Sequence, residues 1–376
     1  MRLTLIGPVF PYRGGIAHYT GLLARSLLEH NHNIQLISFK RQYPAWLYPG
    51  KSDREPGQPP VDIAALYSLD PFYPWTWTRT SKLIVDYQPH ATIIQWWTTF
   101  WAPAFSRLVK YLQKSNIPVI YIIHNVMPHE IKRWDRWLAT LALSQSNRFI
   151  VQSIREEARL LALLPEAQVE TCPLPVFDLN QPKRLPKNTA FSQLGLSPTG
   201  PVLLCFGIVR AYKGIRYAIE AIAELKERGH RYHLLVAGEI WEDKRLYLDQ
   251  IGKLGIADQV TLDDRYIPNE EISKYFSAAD VFLAPYIDGT QSAAIKLALG
   301  YGLPIVASDI LTDDMLAQSP QVLFVRPGNA TELSSAIVTA SKLGVGMNSS
   351  TVLVNESWSR LVRIIERMVS NQENLI

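Results

Sequence analysis

Residues 206–214 of this chain read Phe-Gly-Ile-Val-Arg-Ala-Tyr-Lys-Gly and follow an apolar run at 201–206. The apolar run predicts a buried strand, and the amphipathic pattern at 215–226 predicts a helix directly after the loop. In a strand–loop–helix unit the loop lies at the carboxyl edge of a parallel sheet, where α/β proteins bind ligands. Arg210 and Lys213, near a helix N-terminus, would suit a phosphate-bearing group there. The alternative interpretation is two solvated surface cations before an ordinary helix.

Strand and helix patterns alternate along the rest of the chain, which predicts an α/β fold with parallel sheets and crossover helices. A Pro-, Asn- and Lys-rich stretch at 177–201 interrupts this rhythm and reads as an interdomain linker. Because the pattern restarts after it, two similar α/β halves with a ligand cleft between them are predicted. The predicted buried strands lie at 3–6, 34–39, 91–95, 119–123, 148–151, 202–206, 232–237, 260–262, 281–284, 305–307 and 322–324.

The composition is that of a globular protein, with 47% hydrophobic and 19% charged residues, and 376 residues suffice for two ordinary domains. The net charge of +4 is modest and no Lys/Arg run of the usual binding length occurs, so nucleic acid is not an expected partner. Cys172 and Cys205 are the only cysteines and indicate neither a disulfide framework nor a zinc site, which fits a reducing, cytoplasmic compartment. No apolar run reaches ~18 residues, so no membrane-spanning helix is expected.

A glycine pair, Gly14-Gly15, closes the loop after the first predicted strand, directly before a helical pattern at 17–29. Glycines let backbone N–H groups approach a ligand closely, and a helix N-terminus favours an anion. A tight turn that needs positive φ is the alternative, and the spacing is not the dinucleotide pattern G-x-G-x-x-G. His124 ends a buried strand, where it could orient a sugar hydroxyl or exchange protons. A lone histidine there could equally be structural.

Two loops of the second half follow predicted strands. Glu239 comes after the glycine that ends one of them, and it is either a surface carboxylate or a residue that faces the cleft. In the other loop a helix starts near Ser292, and small residues expose the N–H groups of Ser292, Ala293 and Ala294. These N–H groups would form a second anion cradle. A plain β-α-β unit with Ser292 as its N-cap is the alternative.

Together these motifs resemble the GT-B glycosyltransferases, specifically the large retaining family 4 (glycosyltransferase group 1), over essentially the whole chain. That family carries G-x-x-x-x-x-K-G after a strand of its second domain, matched by residues 207–214, and G-x-P-[VI]-V-A, matched by 302–307. The resemblance implies two Rossmann-like doubly wound parallel-sheet domains that face each other across a cleft. Residues 1–180 would form the acceptor-side domain and residues 195–354 the donor-binding domain, with a helix at about 355–376 that packs back on the first.

The resemblance further implies a transferase that moves a sugar from a nucleotide-diphosphate donor, a UDP- or GDP-sugar, with retention of configuration and without a metal or another cofactor. Arg210 and Lys213 would hold the diphosphate and stabilise the leaving phosphate, and His124 would contact the donor sugar; these three are the predicted catalytic residues. No well-placed nucleophilic carboxylate stands out, which agrees with a same-face, ion-pair-like substitution. The predicted donor-binding residues are Gly14, Gly15, Gly207, Glu239, Asp288, Gln291, Ser292, Ala293 and Ala294.

The chain departs from the family pattern in the donor domain. Most members have two glutamates eight residues apart before the G-x-P, one for the donor sugar's hydroxyls and one for the ribose. Those positions hold Gly289 and Leu297 here. Asp288 or Gln291 could replace the first glutamate, but Leu297 cannot hydrogen-bond a ribose. Ile208 likewise stands where most members have an arginine. A subgroup with Gln-Ser-Gly and Arg-x-Tyr-Lys-Gly at these loops is similar to this chain, so divergence within an active family is the favoured interpretation.

The first half is rich in tryptophan beside cations, and there the family chooses its acceptor. Aromatic faces suit sugar stacking, and tryptophan beside cations suits a membrane interface, although several of these rings could be core residues. We therefore expect a glycan, lipid-linked or small-molecule acceptor, with peripheral contact at the inner membrane face as one expectation. A nucleotide-sugar epimerase and a catalytically silent nucleotide-sugar-binding protein are the alternatives. The residues concerned are Trp75, Trp77, Trp96, Trp97, Trp101, Arg41, Lys51 and Arg54.

Overall fold

The computed structural model describes residues 1–44, 50, 52–59, 61–128, 132–177, 184–345 and 350–370. The chain divides into two compact units: unit 1 is Met1–Pro175 with Glu356–Ile376, and unit 2 is Val176–Asn355. Each unit is built around one parallel sheet with crossover helices. The expected pair of Rossmann-like, doubly wound α/β domains is therefore confirmed.

Unit 1 holds a sheet of seven strands among its described residues, in the order β3-β2-β1-β4-β5-β6-β7, and all its neighbouring strands are parallel. The strand order reverses between β1 and β4, and such a switch point opens a crevice at the carboxyl ends of the strands. The elements are β1 (Arg2–Ile6), α1 (Gly15–Glu29), β2 (Asn33–Phe39), β3 (Leu66–Leu69), α2 (Pro74–Tyr87), β4 (Ala91–Trp96), α3 (Ala102–Lys114), β5 (Val119–Ile123), α4 (Asp135–Leu143), β6 (Arg148–Val151), α5 (Ile154–Leu163) and β7 (Gln168–Thr171).

Unit 2 holds a parallel sheet of six strands among its described residues, in the order β10-β9-β8-β11-β12-β13. Its switch point lies between β8 and β11. The elements are α6 (Lys187–Leu194), β8 (Val202–Phe206), α7 (Ile215–Glu227), β9 (His233–Ala237), α8 (Arg245–Lys253), β10 (Val260–Asp263), α9 (Asn269–Ala278), β11 (Val281–Ala284), α10 (Ala293–Gly300), β12 (Ile305–Ser308), α11 (Asp314–Ala317), β13 (Val322–Val325) and α12 (Ala330–Ala340).

The central strands are apolar because helices cover both faces of each sheet. Every residue of β4, β5 and β11 is buried, as expected for strands inside a parallel sheet. The strands at the edges of the sheets, such as β3 and β10, are only partly buried. The fully buried strands β4, β5 and β11 therefore lie in the interior of their sheets.

A terminal helix, α13 (Ser350–Ser370), supplies the segment that joins unit 1 from the far end of the chain. Glu366 Oε1 lies 3.0 Å from His32 Nε2, and the guanidinium of Arg148 donates to the Met368 carbonyl at 2.8 Å. Trp358 packs against Tyr19 of α1 with 5.3 Å between ring centroids. The predicted helix at about 355–376 overlaps α13, and residues 371–376 lie outside the described part of the chain.

The predicted linker at 177–201 is wrong in one respect, because it contains the helix α6. This helix packs on α9 and ends at Gly195, whose φ of 62° terminates it. Ala190 is its one buried residue, so the stretch carries almost no apolar pattern and its prolines dominate the sequence signal. The division between the units falls after Pro175 rather than at 180. Residues 178–183 lie outside the described part.

Three of the five tryptophans singled out in the sequence are core residues. Trp96 and Trp101 are fully buried, and Trp97 is nearly so. Trp101 stacks on Phe105 with ring centroids 5.9 Å apart. These rings are therefore not an acceptor platform, whereas Trp75 is exposed. Lys51 lies outside the described residues. Among the residues that are described, no helix is long and apolar enough to cross a membrane.

Candidate functional site

Three glycines bring the loops of unit 2 together at the carboxyl edge of its sheet. Gly207 directly follows β8, and a Cβ placed on Gly238, after β9, would lie 2.2 Å from the Gly207 carbonyl oxygen. Gly214 has a φ of 65°, and a Cβ there would lie 1.9 Å from the carbonyl oxygen of Pro285, after β11. A side chain at either position would push the loops apart. The predicted loop at 207–214 therefore lies at the β8/β11 switch point.

Lys213 is a buried cation in this loop. Its side chain is 9% exposed, its Nζ donates to the Phe206 carbonyl at 3.1 Å, and the ammonium lies 5.6 Å from the ring centroid of Tyr286. No described carboxylate forms an ion pair with it. Burial lowers the pKa of Lys213, because the charged form has lost its hydration. Such a site gains stability when an anion enters it.

Arg210 caps the 3₁₀ turn that carries Lys213 and lies among aromatic rings. Its guanidinium carbon is 5.9 Å from the ring centroid of Tyr212 and 6.0 Å from that of Trp241. The backbone of Val209 exchanges hydrogen bonds with the next loop, donating to the Glu239 carbonyl and accepting from Trp241 N–H. Arg210 and Glu239 are thus carried by adjacent backbone segments, and the Glu239 side chain is buried.

The loop between β11 and α10 completes the group. Ser292 is the N-cap of α10, the role that the alternative interpretation of the sequence gave it, because its Oγ accepts the N–H of Ile295 at 3.3 Å. Its Oγ also lies 3.1 Å from the Tyr286 hydroxyl, which links it to the ring beside Lys213. Ala293 and Ala294 form the first turn of α10, where N–H groups have no acceptor within a helix.

The glycine at the usual glutamate position is built into this loop. Gly289 has a φ of 121°, a conformation that residues with a Cβ rarely adopt. Its N–H donates to the Asp288 carboxylate at 2.7 Å, and Asp288 itself is exposed at the loop surface. Gln291 differs, because its Oε1 and Nε2 are both buried and neither has a hydrogen-bond partner among the described residues. Buried amides normally have hydrogen-bond partners, so Gln291 is able to hydrogen-bond a polar ligand.

Unit 1 holds the remaining predicted residues. Gly14, with a φ of 109°, is the N-cap of α1, and Gly15 is the first residue of this helix. His124 follows β5 and is nearly buried, 4.8 Å from the ring of Tyr19 in α1. Its Nε2 lies 2.6 Å from Gln95 Oε1. Because a carbonyl oxygen only accepts, this contact places the proton of neutral His124 on Nε2 and leaves Nδ1 as an acceptor.

Burial lowers the pKa of His124 to about 3, and a hydrogen bond with Gln152 opposes that shift. The unfolded chain takes up this proton near pH 6.5, so the free energy of unfolding should fall as the pH drops below that value. The expected slope for this residue is about 1.4 kcal/mol per pH unit. We expect His124→Asn to lose that slope in denaturant titrations at a series of acidic pH values. His230→Asn, at an exposed position, is the matched control, and an unchanged slope in His124→Asn would contradict a buried neutral imidazole.

Sequence reasoning missed several polar and aromatic residues of these sites. Tyr286 and Trp241 contact the two loop cations, and Gln95 orients His124. A signal for Gln95 existed, because it is a polar residue inside the otherwise apolar strand β4. The amide nitrogens of Gln95 and Gln152 are buried without a partner among the described residues. In the described part of the chain, no group of three or more His, Cys, Asp or Glu side chains could hold a metal ion.

Two family models match the chain over most of its length. The one described as Glycosyl transferases group 1 matches residues 200–342, which include every predicted site residue of unit 2. The one described as Glycosyltransferase Family 4 matches residues 13–176, which include Gly14, Gly15 and His124. The two matches lie within unit 2 and unit 1 respectively, apart from Val176.

Individual relatives agree with these models. A 2-deoxystreptamine glucosyltransferase of Streptomyces kanamyceticus is 25% identical over 242 residues, 62% of this chain and 58% of its own. A GDP-mannose:glycolipid 4-beta-D-mannosyltransferase of Xanthomonas campestris is 25% identical over 213 residues, 53% of this chain and 52% of its own. The matches thus span little more than half the length of these relatives. The structure of Anabaena HepE in complex with UDP aligns over 100% of both chains with a TM-score of 0.67 and 14% identity.

Proposed function

We propose, because this chain belongs to the group 1, family 4 glycosyltransferases, that it transfers a sugar from a nucleotide-diphosphate donor, a UDP- or GDP-sugar, with retention of configuration. The acceptor is a glycan, a lipid-linked sugar or a small hydroxylated molecule. Neither a metal nor another cofactor takes part. The donor is held by the loops at the β8/β11 switch point of unit 2.

The observation that carries this proposal is the buried ammonium of Lys213. A desolvated cation with no described carboxylate partner is costly unless the site serves an anion. Arg210, three residues earlier, adds a second cation on the same loop, and the first turn of α10 adds N–H groups and the positive end of its dipole. These groups match a diphosphate in charge and chemistry, and none of them requires a bridging metal.

The same groups would act in the reaction. As the bond between the sugar and the β-phosphate breaks, negative charge develops on the leaving diphosphate, and fixed cations in a poorly hydrated site stabilise that charge. Lys213 and Arg210 are the proposed source. The departing diphosphate can then accept the proton of the attacking hydroxyl on the same face of the sugar, which retains the configuration. This route requires no carboxylate nucleophile.

The side-chain amide of Gln291, rather than the usual glutamate, is proposed to bind the transferred sugar. Gln291 offers both a donor and an acceptor that are buried and unpartnered, and it follows the glycine that replaces the glutamate by two residues. Asp288 is exposed and engaged with the N–H of Gly289, so Gln291 is the better candidate. In unit 1, His124 is proposed to hydrogen-bond a sugar hydroxyl. Gly14, Gly15, Gly207 and Glu239 remain proposed donor-binding positions.

The relatives support the reaction class but not one donor. One is named for glucosyl transfer to an aminocyclitol and another for mannosyl transfer from GDP-mannose to a glycolipid. The solved structure contains UDP. Both uridine and guanosine diphosphate sugars therefore stay within the proposal.

The test is a thermal-shift and transfer panel with UDP, GDP and ADP and their common sugar conjugates, in the presence of a chelator. A donor at a hundredfold excess over its Kd stabilises the native state by about 2.7 kcal/mol, which is roughly 5–10 °C for a domain of this size. We expect a UDP or GDP compound to produce such a shift, and its sugar conjugate to be consumed when an acceptor is supplied. A shift that appears only when a divalent cation is added would contradict metal independence.

A catalytically silent nucleotide-sugar-binding protein is the second candidate. Leu297, at the position that normally holds the ribose-binding glutamate, is buried and apolar and cannot bond a hydroxyl. This function predicts a thermal shift with a nucleotide-sugar but neither its hydrolysis nor its transfer. Product analysis of the same samples by mass spectrometry separates the two candidates.

A further inference from the structure

One face of unit 1 carries cations without acidic partners. The helices α2 and α3 pack against each other, and their outer surface presents five exposed cations and a single exposed carboxylate, Asp86. None of the five cations forms an ion pair with a described carboxylate, whereas Arg41, Arg159 and Arg367 elsewhere in the unit do. We call this surface the α2–α3 face. Its five cations are Arg79, Lys82, Arg107, Lys110 and Lys114.

Aromatic side chains border the same face at the start of α2. Trp75 is 66% exposed, and the ring of Tyr73 lies beside it with 4.7 Å between centroids. Phe72, next in the chain, is also exposed. Exposure of adjacent large rings costs free energy in water, so a contiguous set of them usually marks an interaction surface. Tyr and Trp are the rings that favour the boundary between water and lipid.

An open cavity of about 550 Å³ joins the two features. Its lining combines one aromatic ring, one hydroxyl and three cationic side chains, and contains no carboxylate. A phosphate group would meet guanidinium and ammonium donors there, while the indole ring would contact the glycerol or acyl part of a lipid. The lining residues are Pro74, Trp75, Thr78, Arg79, Lys82 and Arg107.

We propose that the α2–α3 face binds the surface of a bilayer that contains anionic phospholipids. Unpaired cations over two adjacent helices match the negative potential of such a surface, and exposed rings at one end match its interfacial region. An acidic protein partner fits less well, because the apolar residues lie at one border rather than at the centre of the face. The proposal does not depend on the transferase activity.

The test is co-sedimentation of the full chain with vesicles of phosphatidylcholine, alone or mixed with phosphatidylglycerol. We expect binding to the anionic vesicles only, and binding that weakens as salt is raised because exposed charges are screened. Each cation near an anionic surface is worth about 1 kcal/mol, or roughly a fivefold change in partition. The triple variant Arg79→Gln/Lys82→Gln/Arg107→Gln should therefore lower the partition coefficient by about a hundredfold. Trp75→Ser should lower it further at unchanged charge.

The control variant Arg231→Gln/Lys253→Gln/Lys342→Gln carries the same change of charge at exposed positions of unit 2 and should bind vesicles as the wild type does. Melting temperatures of all variants report whether each is folded. Equal binding of the two triple variants would overturn the proposal, since it would mean that net charge alone acts. Equal binding to vesicles without phosphatidylglycerol would also overturn it. Complete competition by inorganic phosphate would assign the cavity to a small anion instead.

Discussion

We expect Lys213→Met to lower kcat by about a hundred- to a thousandfold, while the melting temperature of the ligand-free protein stays the same or rises. The loss of rate follows because the ammonium would stabilise charge that develops on the leaving diphosphate, and methionine is an unbranched side chain, one atom shorter, that carries no charge. The variant should be as stable as the wild type or more stable, because the wild-type fold buries a charge that has no described carboxylate partner and the variant does not. A residue that serves structure alone would not show this combination.

The measurement pairs steady-state transfer kinetics with thermal melts of the same preparations, with and without the nucleotide identified by the donor panel. In the wild type the nucleotide should raise the melting temperature, and in Lys213→Met most of that shift should disappear. Lys342→Met removes an exposed cation from the same unit and is the matched control, with kinetics and melting expected to be unchanged. A lower melting temperature with unchanged kcat in Lys213→Met would contradict a role in phosphate binding and would indicate that Lys213 serves the structure instead.

Asp313→Ala should lower the free energy of unfolding of unit 2 by about 3–5 kcal/mol. Lys296 lies on the buried side of α10, and its Nζ donates to Asp313 Oδ2 at 2.6 Å. Removal of the carboxylate leaves a buried ammonium without this counter-ion. The substitution also removes the cap of α11, because Asp313 Oδ1 accepts the N–H of Leu316 at 2.9 Å.

Urea denaturation followed by circular dichroism measures this effect. The double variant Lys296→Met/Asp313→Ala should recover most of the lost stability, since it no longer buries an isolated charge. Asp309→Ala, at an exposed position in the same segment, should stay within about 0.5 kcal/mol of the wild type. If Asp313→Ala and Asp309→Ala have equal effects, the ion pair contributes nothing beyond an ordinary surface contact. Lys296 belongs to α10, the helix that would bind the phosphate. We therefore expect Asp313→Ala to weaken donor affinity only to the extent that it displaces α10.

The sequence predicted the fold because the information it needed was local. Continuous apolar runs such as β4 and β11 appear only in strands covered on both faces, and the alternation with amphipathic helices specifies parallel pairing. The family resemblance and the two-domain α/β fold are confirmed by the family matches and the two sheets. The helix α6 was missed for the same reason, because its sequence has almost no apolar periodicity and its position depends on contact with α9.

The roles predicted for the site residues stay predictions. The burial and contacts of these residues could not be predicted from the local sequence pattern. The sequence contains Arg210 and Lys213 in a loop, yet only the packing of that loop against the turns at Gly238 and Pro285 buries the ammonium. Gln95 and His124 are 29 residues apart and meet because β4 and β5 are neighbours in the sheet. Hydrogen bonds and burial of this kind arise between segments distant in sequence.

The tryptophans also show the difference between what the sequence indicates and what the tertiary structure decides. Their number and their proximity to cations were visible in the sequence, and they suggested an aromatic acceptor surface. The tertiary structure buries Trp96 and Trp101 against Phe105 and leaves Trp75 exposed beside unpaired cations. Composition and periodicity thus determined the fold class and the loops that hold charge, and the motifs that resemble family 4 determined the family. Only the tertiary structure decided which charges and rings lose water and which stay in it, because burial depends on neighbours that sequence spacing does not specify.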